Sequence, residues 1–283
     1  MLFIVGFSRY GAHPFRRSEE YERIAHSWPI DFCDCDGVFW VPVCNFRCFA
    51  DGTCAGPPWT RGSVLVAWLV AAGFLMAGLS IAVDRMARWV SLFLGSAIFL
   101  FGLVHYLPIL LAHLHDPGPW TVLFELLAIA GGAWVLAASF PADGRGSPSW
   151  DSMVWRLADV GRFLIAISLA VFAVQHFMYA RFVATLIPAW IPARLFWAYF
   201  TGIAFVAAAV SIATKRMLGM AATLLGTMFF LFVVLLHIPR VAGAIRNGNE
   251  VTSLFVAVAM CGLSYALAGV YGRSLEGRGA FIV

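Results

Sequence analysis

The sequence predicts an all-α, polytopic membrane protein made of two parallel four-helix-bundle repeats, with seven to eight transmembrane helices. Three observations carry that expectation. Of the 283 residues, 61% are hydrophobic and only 12% are charged, where soluble domains carry about 25% charge, and the mean hydropathy is +0.85. The charges fall between long uncharged runs, several reaching the roughly 20 residues that an α-helix needs to cross a bilayer. The chain also repeats itself. A shift of 131 residues aligns 71–140 with 202–271 without a gap, and 20 of 70 positions are identical. They include Ser80–Ala82 on Ser211–Ala213, Leu94-Gly95 on Leu225-Gly226, Pro108 on Pro239 and Gly131 on Gly262.

Residues 1–61 do not share the pattern of the rest. They hold five of the six cysteines and a dense mix of charge, and their only apolar core, Gly37 to Phe46, is too short to span. No CxxC occurs there, so no familiar metal-site spacing is present. The opening MLFIVGF is apolar before any basic residue, unlike a secretory signal. The 131-residue shift places Pro57 and Trp59 on Pro188 and Trp190, with Asn45 in the place of His176. The segment therefore reads as a degenerate remnant of the first repeat's first helix, or as the product of a reading-frame error.

The first repeat occupies 62–142. Its spans are Gly62 to Val83, Trp89 to Ala112 and Trp120 to Ala142, with Asp84, Arg85 and Arg88 at a tight turn. Residues 143–156, rich in Gly, Ser, Pro and charge, read as a linker. The second repeat, 157–272, carries spans Leu157 to Ala180, Leu195 to Thr214, Met217 to Pro239 and Val251 to Tyr271, and 273–283 form a tail. Between its first two spans lies a 12-residue apolar run, Phe182 to Ala193, containing IPAWIP. It is too short to cross, and Pro188 and Pro192 interrupt helical hydrogen bonding. An indole between prolines suits the headgroup region, so Trp190 marks an interfacial or re-entrant elbow.

With four helices per unit, each repeat returns to its starting side, and most of the 19 Lys and Arg residues fall on the side of both termini. Positive-inside bias then places both termini in the cytoplasm of a bacterial-type inner membrane. The lipid bilayer is the expected partner. The net charge of +4 is scattered over connectors, which speaks against nucleic acid.

IPAWIP, LFWAYFTG and LLHIPR, with QHF upstream, resemble the DoxX family of small four-helix membrane proteins. The resemblance is best over 157–271 and fainter over 62–140; upstream of that, in the first copy, QHF has become CNF and PAWIP has become PPWTR. It implies the bundle fold and a structural part for Pro188, Pro192 and Pro239. It also implies a link to redox systems, since the family takes its name from a subunit of a thiosulfate:quinone oxidoreductase.

On this topology His105, His176, His237 and Trp190 gather at the outer ends of the helices, and ionisable side chains inside spans mark sites. His176 and His237 lie in the better-preserved copy. They can hydrogen-bond a quinone carbonyl, relay protons or ligate haem iron. The bland alternative is a backbone carbonyl as partner for each ring. Trp190 would cover the opening between them. Glu125 has Val256 as its counterpart; it either pairs with a histidine or lies shallow enough to stay hydrated. Two functions follow as expectations. One is a redox-associated subunit that binds quinone or haem at its outer face, beside a soluble or membrane redox partner. The other is a transporter-like or scaffolding protein.

Overall fold

The computed structural model describes residues 72–84, 86–141, 148–244 and 248–279. Every regular element among them is helical. In chain order they are α1 (Ala72–Ala82), α2 (Ala87–Ala112), α3 (Pro117–Ser139), α4 (Pro148–Met178), α5 (Ala180–Leu186), α6 (Arg194–Thr214), α7 (Leu218–Gly243) and α8 (Gly248–Gly279). Six of them, α2 to α4 and α6 to α8, are long and apolar enough to cross a membrane. The span expected over Gly62 to Val83 is described only in its last part, as α1. The doubtful span before Arg61, and the whole cysteine-rich segment 1–61, lie outside the described residues. From Ala77 onward the described helices belong to one unit, and the rest concerns that unit.

Several boundaries differ from expectation, each for a local reason. α3 starts at Pro117 because Asp116 caps it, its side chain accepting from Gly118 N at 2.9 Å. α4 begins at Pro148 and so absorbs much of the expected linker 143–156. Asp151 in its first turn complements the helix dipole and accepts a hydrogen bond from Arg88 at 2.5 Å, which ties the new turns to α2. α7 does not stop at Pro239. It widens into a π-turn over Val233–His237, where the Ile238 N–H reaches back to the Val233 carbonyl. That loosened turn accommodates the clash and the missing N–H that proline brings to a regular helix. α2 contains the same device at Gly102–Tyr106, just before Pro108.

Five helices close a ring: α3 lies on α4 and α8, α4 on α6, α6 on α7, and α7 on α8. α2 stands outside it, against α3 and the start of α4. The ring is held by close backbone approach. At the α3–α4 crossing, a Cβ on either Gly131 or Gly161 would collide with the other's carbonyl, so only glycine lets these helices touch. Ile165, Leu169, Ile212, Leu218 and Leu267 fill the interior. The α6–α7 connection takes three residues, with Lys215 and Met217 both in left-handed conformation.

At that end buried Arg162 donates to the carbonyls of Ile212 (2.5 Å) and Ala213 (2.7 Å), satisfying acceptors that the end of α6 leaves open. Asp159 beside it accepts from Lys215 at 2.9 Å and from the Tyr271 hydroxyl at 3.0 Å. The charged groups named at this end are all paired. The opposite end of the ring leaves buried polar atoms open.

Candidate functional site

At the opposite end the ring encloses a chamber of about 40 Å³. Its polar wall is Thr121 and Glu125 from α3, His176 from α4, His237 from α7 and Ser253 from α8. Its apolar wall is largely aromatic. Phe172, Phe205 and Phe229 form a train with centroids 6.1 and 5.8 Å apart, and the His176 ring stands edge-on to Phe205 at 5.1 Å.

The motif QHF acquires a physical meaning here. Gln175 fastens α4 to α3: its Nε2 donates to the Pro117 carbonyl at 3.1 Å, and Thr121 Oγ1 lies 3.2 Å from its Oε1. His176 faces the chamber. Phe177 lies across Gly202 of α6, where an added Cβ would come within 3.1 Å of the ring.

His176 is 7% exposed, and its Nδ1 donates to the Phe172 carbonyl one turn back at 2.8 Å. A carbonyl only accepts, so the proton sits on Nδ1 and Nε2 carries the lone pair in the neutral ring. This is the backbone partner foreseen for the bland reading. His237 behaves differently. It is 0% exposed, and neither ring nitrogen has a hydrogen-bond partner among the described residues. Ser253 Oγ and Glu250 Oε2 are likewise buried without partners among them. Such groups cost on the order of 1–3 kcal/mol each when nothing meets them.

The remaining expected site residues fall elsewhere. His105 sits on α2, outside the ring, stacked on Phe101 at 5.3 Å and edge-on to Tyr106. Trp190 is 68% exposed and does not line the chamber. The elbow that carries it turns away: Ala180 and Val183 of α5 pack on Ala198, and the indole points outward. The aromatic side chains that do line the chamber are phenylalanines. Pro188 and Pro192 bound the non-helical stretch between α5 and α6, and Pro239 follows the α7 π-turn. Glu125 is 8% exposed and lines the same chamber as both histidines.

Thr121 and Ser253 were not singled out from the sequence; a single hydroxyl in an apolar helix carries no pattern to find it by. Among the described residues no three His, Cys, Asp or Glu side chains are arranged to hold a metal ion. The chamber's side chains can donate, accept and pass protons among largely apolar walls, where each hydrogen bond is strengthened.

Residues 165–270 match the family model described as a domain of unknown function (DUF8561). No curated protein and no solved structure matches the chain. The matched stretch supplies His176, His237 and Ser253 but ends short of α3, which brings Glu125 and Thr121.

Proposed function

We propose that the chamber is the working site of a DoxX-like membrane protein, and that its work is proton exchange with a redox-active ligand of the quinone class. The observation that carries this reading is His237, a fully buried imidazole with both nitrogens unengaged by the described residues, facing a space that also holds Glu125 and His176. Quinone reduction needs hydrogen bonds at two carbonyls and a supply of protons, which two histidines and a carboxyl group can provide. At about 40 Å³ the chamber is far below the roughly 300–1,000 Å³ of ordinary ligand sites. A ring would enter by turning out aromatic side chains, of which Phe232 is half-exposed already. Haem would demand a much larger slot, so quinone is the preferred ligand. A soluble or membrane redox partner would exchange electrons with it.

Transport is the weaker reading. Beyond the chamber the ring is filled by Ile165, Leu169, Leu225 and Leu263, and the buried hydroxyls there, Ser168 and Ser264, are taken up by carbonyls of their own helices. We also read α2–α3 and α7–α8 as tandem copies. What supports this is a shared set of helix bounds and contacts 131 residues apart.

Extraction of detergent-purified protein should yield quinone, and its absorption spectrum should lack a haem band. His237→Ala and His176→Ala should each lose most of that quinone while remaining monodisperse. Wild-type protein free of quinone would end this reading.

A further inference from the structure

We infer that the seam between α7 and α8 is a proton entry from the outer surface into the chamber, with Glu250 as its loading carboxylate. The inference deepens the proton-exchange reading above and rests on it. The buried polar atoms left open at this end are not scattered. Glu250 and Ser253 stand three residues apart on α8, so they share a face. Arg240 and His237 stand three apart on α7, facing them across a closely packed seam. Arg240 Nη2 donates to Glu250 Oε1 at 2.7 Å, which fixes the register of the seam. Arg240 is the partly exposed member, at 23% of its side chain, and Glu250 is 9% exposed. From the surface inward the order is therefore Arg240, Glu250, Ser253, His237.

Three of these four residues carry a buried oxygen or nitrogen unmatched among the described residues: Glu250 Oε2, Ser253 Oγ and both His237 ring nitrogens. The opposite end of the ring shows what a purely structural arrangement looks like. There Asp159 accepts from Arg162, Lys215 and Tyr271. An open row from surface to chamber is what a chain of waters would complete. The chamber holds the inner part of that row, beside Ser253 and His237, with room for roughly three waters at about 10–15 Å³ each, and a water can both donate and accept.

The step is a proton transfer and balances as one. A hydronium ion outside gives its proton to Glu250 Oε2 and leaves as water. The carboxylic acid then passes that proton to a water beside Ser253 and returns to the carboxylate that Arg240 holds. From that water it reaches a His237 nitrogen. Only O–H and N–H bonds form and break, and one positive charge moves inward. Ser253 orients the water and is a positioning residue.

The test uses the full chain in lipid vesicles, labelled with ¹⁵N-histidine. Solid-state NMR follows hydrogen–deuterium exchange at the His237 ring after a switch to heavy water, with His237→Ala identifying the signal. Exchange should slow at least tenfold in Glu250→Gln and in Ser253→Val. Ser253→Val exchanges an open buried hydroxyl for a methyl and adds a second methyl beside the chamber's free space, so it should fold even if Glu250→Gln does not. Wild-type exchange rates in Ser253→Val, or in a folded Glu250→Gln, overturn the entry path. Quinone content measured on the same samples separates the two ideas. Unslowed exchange with quinone still bound removes the path and keeps the site. Slowed exchange in a quinone-free protein keeps the path and removes the ligand.

Discussion

Hairpins α2–α3 and α7–α8 have the same construction and opposite fates. The first helix of each is 26 residues long and follows a left-handed methionine, Met86 or Met217. Each contains a π-turn, Gly102–Tyr106 or Val233–His237, and each second helix begins after the same interval, at Pro117 or Gly248. Even the contacts match. Trp134 covers Gly95 and lies 3.3 Å from Ser96 Oγ, while Tyr265 covers Gly226 and lies 3.1 Å from Thr227 Oγ1. Yet α7 stands in the ring, with His237 turned into the chamber, whereas α2 stands outside with Tyr106 at the corresponding position. Local sequence decides how a helix turns; its neighbours decide whether a side chain meets lipid or a site.

The largest test of that contrast is the aromatic over the glycine. Trp134 is buried beneath α2 and α4, so Trp134→Ala should cost about 3–5 kcal/mol in denaturant titrations of the detergent-solubilised protein. Tyr265 is 43% exposed, and Tyr265→Ala should cost less than half as much. Equal losses would mean the two hairpins are equally embedded. The next test is a repeated glycine. Gly131→Ala drives a methyl into the Gly161 backbone and should cost about 1–3 kcal/mol. At its counterpart Gly262 nothing lies within 4 Å, so Gly262→Ala should be neutral or gain up to about 1 kcal/mol of helix propensity. The smallest difference concerns the hydrogen bonds. Ser96→Ala strands a buried indole N–H and should cost about 1 kcal/mol. Thr227→Val frees a half-exposed phenol and should move the midpoint hardly at all; a larger loss there would reverse the contrast.

Much of this architecture can be read from the residues. Uncharged runs locate four of the six described spans within about four residues, α4 and α8 running further at one end, and the paired histidines of QHF and LLHIP do share one cavity. Which helix completes that cavity cannot be read in the same way. In lipid a helix is apolar all round, so no stripe announces its inward face. That α3 joins the second-half helices depends on Gly131 meeting Gly161, a contact between residues 30 apart in sequence that only packing brings together. Glu125 was visible as an anomaly, a carboxyl group without a repeat counterpart, but not as a wall of the histidine chamber. The extension of α4 to Pro148 was hidden because a Gly- and Ser-rich composition signals a turn until Asp151 finds Arg88. Trp190 shows the same dependence on packing: an indole between prolines fits a lid and a headgroup anchor equally, and the packing of α5 on α6 leaves it out of the chamber lining.

The π-turn in α7 also sets an angular phase. Each residue of a helix advances by about 100°, and the wide turn takes up one residue more than a regular turn would. Everything beyond Val233–His237 is therefore rotated relative to the helix before it. Regular winding with every residue of VVLLH kept would turn Arg240 by about that angle, away from Glu250. The helix would be better formed and still apolar enough to insert. Its outer end would have lost its bearing on α8, as a correctly cut key does when it is turned in the lock.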